Sequence, residues 1–134
     1  MWLKDMMTRR VVSIGPDSSV IEAAKRMGEE NVGCLIVLED EKLVGMLTDR
    51  DIATRVVGEG IDPQGCKVRD CMTREIVTAI PQTDILDAAK LMTKYEVRRL
   101  PIVDGQRVVG IVSIADIAAY AESILGEVSK SRKR

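Results

Sequence analysis

Apolar and polar residues follow one another along this chain as short runs in a fixed order. The first apolar run, 11–14, is typical of a short strand. Apolar residues then recur at helical spacing over 20–27, which predicts a helix with one buried face. The continuous apolar run 34–38 indicates a strand buried on both faces, and 43–47 indicates a second strand that leads into a helix at Thr48. The predicted order is β-α-β-β-α.

The same order returns 65 residues later. Residues 5–52 align with 70–117 without a gap, with 16 identical pairs among the 48 positions, where composition alone would give about three. In the second copy we expect strands at 76–79, 100–103 and 107–112 and helices at 83–95 and 114–125. Asp104-Gly105 is a hairpin signal between the last two strands. The chain is therefore an internal duplication.

The best-matched part of the two copies is an octapeptide, 45–52 in the first and 110–117 in the second. Each begins with glycine, continues with apolar residues, and then has a hydroxyl residue followed three positions later by a carboxylate. The hydroxyl residues are Thr48 and Ser113, and the carboxylates are Asp51 and Asp116. One interpretation is a helix cap alone, because both residue types suit the first turn of a helix. The other is a binding site that the duplication has kept in both copies.

Composition and charge restrict the function classes. The chain has 134 residues and a net charge of −1, so no overall positive field favours nucleic acid. The basic cluster 130–134 is interpreted as a solvated tail. There is no histidine, no phosphate-binding loop of the GxxxxGK[ST] type, no paired-carboxylate motif and no zinc-ligand set. These features predict neither a catalytic residue nor a metal site, and we expect that the protein is not an enzyme.

The three cysteines, Cys34, Cys66 and Cys71, are expected to be reduced and mostly structural. No apolar run reaches the roughly 18 residues that a membrane span needs. The N-terminus does not have the basic-then-apolar pattern of a signal peptide. We therefore expect a cytoplasmic protein.

The duplicated unit, with its Gly-apolar-apolar-[Ser/Thr]-x-x-Asp-apolar ending, resembles the cystathionine β-synthase (CBS) domain, and the tandem pair resembles a Bateman module. Met7-Thr8, Met72-Thr73 and the segment 97–103 add to the resemblance, which covers about residues 5–125. It implies an α/β (α+β) fold of two β-α-β-β-α units, packed sheet to sheet with pseudo-two-fold symmetry. The implied divisions are CBS domain 1 at 1–57, a connector at 58–66, CBS domain 2 at 67–125 and a basic tail at 126–134.

The resemblance implies a regulatory module that senses adenosyl nucleotides such as AMP, ADP or ATP in clefts between the units and signals to an unknown partner protein. It also implies a homodimer. No cofactor is required beyond the ligand, which Mg²⁺ would accompany where the ligand is ATP. The alternatives are a structural or oligomerising module with vestigial clefts, or a sensor of S-adenosylmethionine or NAD(H).

The same resemblance assigns residues to two clefts, each with its carboxylate from one unit and other contacts from the second unit. Cleft A would use Thr48, Asp51, Thr73, Val77, Val97, Arg98 and Arg99. Cleft B would use Ser113, Asp116, Thr8, Val12, Val32, Gly33 and Cys34. Because Arg98-Arg99 align with Gly33-Cys34, cleft A is expected to prefer phosphorylated ligands. Alternatively, the two arginines only pair with surface carboxylates, and Val12, Val77 and Cys34 are core residues.

Overall fold

The computed structural model describes residues 1–132 of the chain and the side chains of residues 1–127. These residues form two compact units, each centred on one copy of the repeat. The repeat-1 unit consists of Arg10–Ile76 and Gly105–Val108. The repeat-2 unit consists of Met1–Arg9, Val77–Asp104 and the chain from Val109 onward.

The repeat-1 unit has the predicted order of elements. They are β1 (Ser13–Ile14), α1 (Val20–Glu30), β2 (Cys34–Glu39), β3 (Lys42–Thr48), α2 (Asp49–Asp51), a π-helix (Ile52–Val57) and α3 (Val68–Cys71). The strands form one sheet in the order β1-β2-β3, with β1 parallel and β3 antiparallel to β2. Asp40 and Glu41 turn the β2–β3 hairpin with positive φ angles of 51° and 66°, the conformation that a two-residue hairpin of this type needs.

The sequence of helix α1 favours both its observed start and its observed end. The Ser19 hydroxyl accepts a hydrogen bond from the Glu22 amide at 3.1 Å, which satisfies one of the open N–H groups of the first turn. Asn31 ends the helix in the left-handed conformation, with φ at 53°, as asparagine often does. The buried face carries Val20, Ala23 and Met27, so the helical period predicted from the sequence is the one that packs.

Around the second repeat, the helices and the last two strands follow in the same order, but the described residues form no counterpart of β1. The elements are a 3-10 turn (Leu3–Asp5), α4 (Ile85–Tyr95), β4 (Arg99–Asp104), β5 (Arg107–Ser113) and α5 (Ile114–Arg132). Strands β4 and β5 form a two-stranded sheet, and Gly105 turns the hairpin with φ at 64°. The predicted hairpin, the predicted α+β class and the two repeated units are confirmed.

Each unit has its own cluster of buried apolar side chains. In the repeat-1 unit the cluster is Val12, Val20, Ala23, Met27, Leu35, Val37, Leu47, Val56, Cys66, Val68, Cys71 and Met72. In the repeat-2 unit it is Leu3, Met7, Ala79, Ala88, Met92, Leu100, Ile102 and Val112. Both clusters include a methionine from a Met-Thr pair, so each of these pairs helps to build the core behind one octapeptide.

The strand predicted at 76–79 is wrong, because only a single bridge between Ala79 and Ile102 forms there. In the first repeat the Ile36 amide donates to the Val12 carbonyl at 3.0 Å and starts the pairing of β1 with β2. The residue aligned with Ile36 is Pro101, which has no amide hydrogen to donate. The ladder therefore cannot begin at the equivalent place.

The helices after the octapeptides also differ from the prediction. The helix predicted from Thr48 begins as expected, but after Asp51 it continues as a π-helix rather than an α-helix. Helix α5 continues past the predicted end near Leu125, through Gly126, to Arg132. A glycine within a helix costs only about 1 kcal/mol, so it did not end this one. Of the predicted basic tail, residues 133–134 lie outside the described residues.

In each unit, the segment that precedes one copy of the repeat packs with the other copy. Residues 66–73 pack on the repeat-1 unit, where the Val68 amide donates to the Ser18 carbonyl at 2.8 Å. Residues 1–9 pack on the repeat-2 unit, where the Leu3 amide donates to the Thr83 carbonyl at 2.9 Å. The compact units are therefore divided differently from the sequence repeats.

Candidate functional site

The octapeptide glycine in each copy lies against the methionine of a Met-Thr pair. A Cβ atom on Gly45 would lie 2.4 Å from the Met72 sulfur, and one on Gly110 would lie 2.6 Å from the Met7 sulfur. Real Cβ atoms do not approach other atoms this closely, so only glycine lets the methionine cover the strand. This packing explains why both octapeptides begin with glycine.

The first octapeptide ends in a reciprocal pair of hydrogen bonds. The Thr48 hydroxyl oxygen accepts from the Asp51 amide at 3.1 Å, and the Asp51 carboxylate oxygen Oδ2 accepts from the Thr48 amide at 3.0 Å. This arrangement is a capping box, which satisfies two open N–H groups of the helix start. The predicted capping chemistry is confirmed, and it fixes the position of the Asp51 carboxylate.

The second octapeptide repeats this geometry. The Ser113 hydroxyl oxygen accepts from the Asp116 amide at 3.1 Å, and Asp116 Oδ2 accepts from the Ser113 amide at 2.9 Å. Asp51 and Asp116 are both half-buried. In each case one carboxylate oxygen is committed to the cap. A carboxylate has about four acceptor sites, so each keeps acceptor capacity beyond its cap.

The Met-Thr pairs place a threonine beside each octapeptide. Thr73 and Met46 exchange two backbone hydrogen bonds, at 2.8 and 2.9 Å, and Thr8 and Ile111 do the same at 2.9 and 3.0 Å. The structure thus brings Thr73 to the strand that ends at Thr48, and Thr8 to the strand that ends at Ser113. Both groupings agree with the sequence assignment of these threonines.

The segments before β2 and β4 lie beside the octapeptide of their own unit. The Gly33 carbonyl accepts from the Asp49 amide at 3.0 Å, and the Arg98 carbonyl accepts from the Ile114 amide at 2.8 Å. Cys34 lies opposite Thr48 in the β2–β3 ladder. The sequence assigned Gly33 and Cys34 to the cleft of Asp116, and Arg98 to that of Asp51. Those assignments join residues of different units and stay predictions.

The remaining predicted residues are mostly packing residues. Val12 is buried in the repeat-1 core, and Val32 packs against it. Val77 and Val97 pack against the repeat-2 core. Cys34 is half-buried rather than fully buried. Among side chains 1–127, no ion pair involves Arg98 or Arg99, which disfavours the alternative that they only pair with surface carboxylates.

Arg55 is a residue of this site that the sequence interpretation did not identify. Its guanidinium Nη2 lies 3.6 Å from Asp51 Oδ1, and its Nη1 donates to the Cys71 carbonyl at 3.0 Å. The side chain projects from the π-helix that follows Asp51. The signal was present in the sequence, because an acid and a base four residues apart face each other on a helix.

The two buried cysteines near this arginine are not candidates for reactive groups. Cys66 and Cys71 belong to the repeat-1 core. Burial, with a contribution from Cys66, raises the pKa of the Cys71 thiol to about 12. A thiol with so high a pKa holds its proton at neutral pH, and the thiolate is the reactive form.

An open groove of about 580 Å³ lies elsewhere on the repeat-1 unit, between β1 and α1. Its lining includes Ser13, Ser18, Glu22, Lys25 and Arg26. None of the residues predicted to bind a ligand lines it. This groove therefore does not coincide with the predicted site, and the paired capping boxes remain the strongest candidate.

Comparison with known proteins agrees with this arrangement. The family model of the CBS domain matches residues 3–58 and again 68–123. The CBS domain-containing protein YhcV of Bacillus subtilis is 44% identical over 116 residues, covering 87% of this chain and 82% of its own length. The crystal structure of the CBS-domain protein NE2398 superposes with a TM-score of 0.84 at 35% identity, covering 90% of this chain and 97% of that one.

One further solved structure contains ligands. The CBS domain pair of protein MJ0100, in complex with 5′-methylthioadenosine and S-adenosyl-L-methionine, has a TM-score of 0.81 and 31% identity, covering 92% of this chain and 97% of that one. Within the described part of the present chain, no helix combines the length and the apolar character that a membrane crossing requires.

Two matches to the family model and close relatives over most of the length show that this chain belongs to the CBS-domain family and carries two CBS domains in tandem, the pair that forms a regulatory module.

Proposed function

We propose that this CBS pair binds adenosyl compounds, of the AMP, ADP, ATP or S-adenosylmethionine class. Asp51 and Asp116, each in its own site, accept hydrogen bonds from the two hydroxyls of a ribose. The observation that carries the proposal is the matched geometry of the two carboxylates, each fixed by a capping box at the end of an equivalent strand. The adenosyl ligands of the related MJ0100 pair support the choice of ligand class.

The chemistry of the fixed carboxylate suits a ribose. In each octapeptide Oδ2 already accepts from a backbone amide, which holds the group in one orientation. The acceptor sites that remain can take two hydroxyl hydrogens from adjacent ribose carbons. Hydrogen bonds to a charged acceptor stabilise by about 1.5–3 kcal/mol each. A preorganised carboxylate avoids the entropy loss of ordering a mobile one when the ligand binds.

The proposal includes a homodimer, which would pass the ligand-bound state to a partner protein. Helix α5 leaves Ile124 and Leu125 exposed, with 43% and 66% of their surface accessible. Exposed apolar side chains on one helix favour association. Sedimentation equilibrium tests this point, and a concentration-independent mass of 14.8 kDa would contradict the homodimer.

The test of ligand binding uses Asp51→Asn and Asp116→Asn. Asparagine keeps a carbonyl oxygen for the capping amide but loses the charge and the second acceptor. We therefore expect each variant to remove one site, with at least a tenfold loss of affinity for AMP or adenosine by calorimetry, at a small change in stability. A ligand at about 100 times its dissociation constant adds about 2.7 kcal/mol in thermal-shift assays.

The chain offers a matched control for the cap. Asp70 accepts a hydrogen bond from the Lys67 amide at 3.1 Å, which reproduces the carboxylate half of the octapeptide box without a hydroxyl partner and outside the octapeptides. Asp70→Asn should remove the equivalent charge from an exposed cap and leave ligand affinity unchanged. If no adenosyl compound binds, or if both octapeptide variants bind like the unmodified protein, the proposal is wrong.

One observation favours the second candidate, a structural module without ligands. Each capping box is complete without any added molecule, since its hydroxyl and its carboxylate already bond to the backbone. In that case neither Asp51→Asn nor Asp70→Asn would change the response to an adenosyl compound. The same pair of variants therefore separates the two functions.

A further inference from the structure

The two octapeptides differ in one charged contact. In the repeat-1 unit, Arg55 lies at 3.6 Å from Asp51 Oδ1, and the two side chains are 47% and 14% exposed. The residue at the aligned position of the second repeat, 65 residues on, is Tyr120. Among the side chains described, which end at residue 127, Asp116 takes part in no ion pair. Within these described side chains, one carboxylate thus has a counter-ion and the other has none.

The positions before the carboxylates do not change this imbalance, because their charges sum to zero in both octapeptides. Asp49 and Arg50 precede Asp51, and their charges cancel, whereas Ile114 and Ala115 precede Asp116 and carry no charge. Around Asp51 the nearby side-chain charges sum to zero, while around Asp116 the carboxylate charge is left uncompensated within the octapeptide. Arg98 approaches this second octapeptide through its backbone carbonyl, without an ion pair to the carboxylate.

From this difference we infer that Arg55 is a specificity-determining residue, which makes the Asp51 site take adenosyl ligands that carry phosphate. The Asp116 site takes adenosyl ligands that are neutral or cationic beyond the ribose, such as a thioether or a sulfonium. The inference rests on the proposed function, because it names which adenosyl class each site prefers. Its physical basis is that an uncompensated carboxylate repels a phosphate and attracts a sulfonium, and a guanidinium reverses both effects.

The geometry lets Arg55 neutralise Asp51 without taking the place of the ribose. At 3.6 Å the Arg55–Asp51 contact is longer than a hydrogen bond, so Oδ1 keeps its acceptor sites. Meanwhile the Cys71 carbonyl, at 3.0 Å from Nη1, holds the guanidinium from its other side. The cation is therefore tethered beside the carboxylate, and it has donors left for a phosphate oxygen, since a guanidinium carries five.

The experiment isolates each site and compares AMP with adenosine. In the Asp116→Asn background, calorimetry reports the Asp51 site, where AMP should bind more tightly than adenosine. Adding Arg55→Met should lower the affinity ratio of AMP to adenosine about three- to tenfold, the size expected for a half-exposed charge pair. Arg55→Lys keeps the charge and should keep the ratio. Lys67→Met removes an exposed cation that contacts Asp17 and not Asp51, and should leave the ratio unchanged.

The reciprocal change guards against a folding defect in the Arg55 variants. In the Asp51→Asn background, Tyr120→Arg should raise the ratio of AMP to adenosine at the Asp116 site by a similar factor and lower the affinity for S-adenosylmethionine. Equal weakening of AMP and adenosine by Arg55→Met, with no effect of Tyr120→Arg, would mean that Arg55 only holds α3, and this inference would be overturned alone. If the unmodified protein binds none of the three compounds, the proposed function fails together with it.

Discussion

The close contact between the octapeptide glycines and the Met-Thr methionines predicts what an added methyl group does. In Gly45→Ala the three atoms nearest the new Cβ would all belong to the Met72 side chain, at 2.4, 3.0 and 3.2 Å. Methionine is flexible and can move. In Gly110→Ala the third neighbour, at 3.1 Å, is the backbone carbonyl of Thr8, which is fixed by its hydrogen bond from Ile111.

The two substitutions should therefore differ in cost. Overpacking a core destabilises by about 1–3 kcal/mol, and replacing glycine by alanine returns about 0.4–1 kcal/mol through the unfolded chain. We expect Gly45→Ala to lose about 1 kcal/mol of the free energy of unfolding and Gly110→Ala about 2 kcal/mol. Gly28 has no atom within 4 Å of a built Cβ and lies within α1. Gly28→Ala should therefore stabilise, by about 0.5–1 kcal/mol.

Urea denaturation of the variants measures these free energies, and a double-mutant cycle tests their cause. Met72→Ala removes the atoms that the new Cβ would meet. In that background Gly45→Ala should cost nothing or stabilise slightly, which gives a coupling free energy of about 1 kcal/mol or more. If Gly45→Ala costs the same with and without Met72, the glycine is needed for another reason and the packing explanation is wrong.

Two further predictions concern titratable groups. Burial raises the pKa of Cys71 to about 12. We therefore expect iodoacetamide at pH 8 to modify the half-buried Cys34 first and Cys71 only on unfolding, as followed by mass spectrometry. Modification of Cys71 at the rate of Cys34 would contradict the burial of Cys71. The hydrogen bond from Arg69 lowers the pKa of Asp17 below 3.8, so this pair stabilises the folded state above about pH 4 and loses its effect as the pH falls through the lowered value. Arg69→Gln should therefore flatten the acid side of the stability profile, and an unchanged profile would show that the pair contributes nothing.

Most of the fold is readable from local patterns. The caps of α1, the hairpin at Asp104-Gly105 and the order of elements all follow from residues close together in sequence. The shortened strand near Ala79 was readable too, since Pro101 stands where a ladder donor is needed. The exchange of residues 1–9 and 66–73 between units was not, because it depends on the contact of Met72 with Gly45 across 27 positions of sequence.

The candidate site was predicted in part for a similar reason. Spacing alone identifies Thr48, Asp51, Ser113 and Asp116, because the capping box has a fixed sequence pattern. The π-helix after Asp51 has no comparable signal, since its backbone differs from an α-helix by one residue in the hydrogen-bond spacing. The spacing of Arg55 from Asp51 was visible in the sequence, but the hydrogen bond of Arg55 to the Cys71 carbonyl was not.

Capping by itself does not separate a binding carboxylate from a structural one in this chain. Asp5 and Asp70 accept from the amides three residues earlier, at 3.2 and 3.1 Å, as Asp51 and Asp116 do. The difference is burial, because the first two are exposed and the octapeptide pair is half-buried. A carboxylate that has lost part of its water needs another partner for its remaining acceptor sites. Arg55 partly meets that need at Asp51, and at Asp116 no ion pair does so among side chains 1–127. In the proposed function a ribose would satisfy the remaining acceptor sites of these two groups, whereas the exposed Asp5 and Asp70 are open to water.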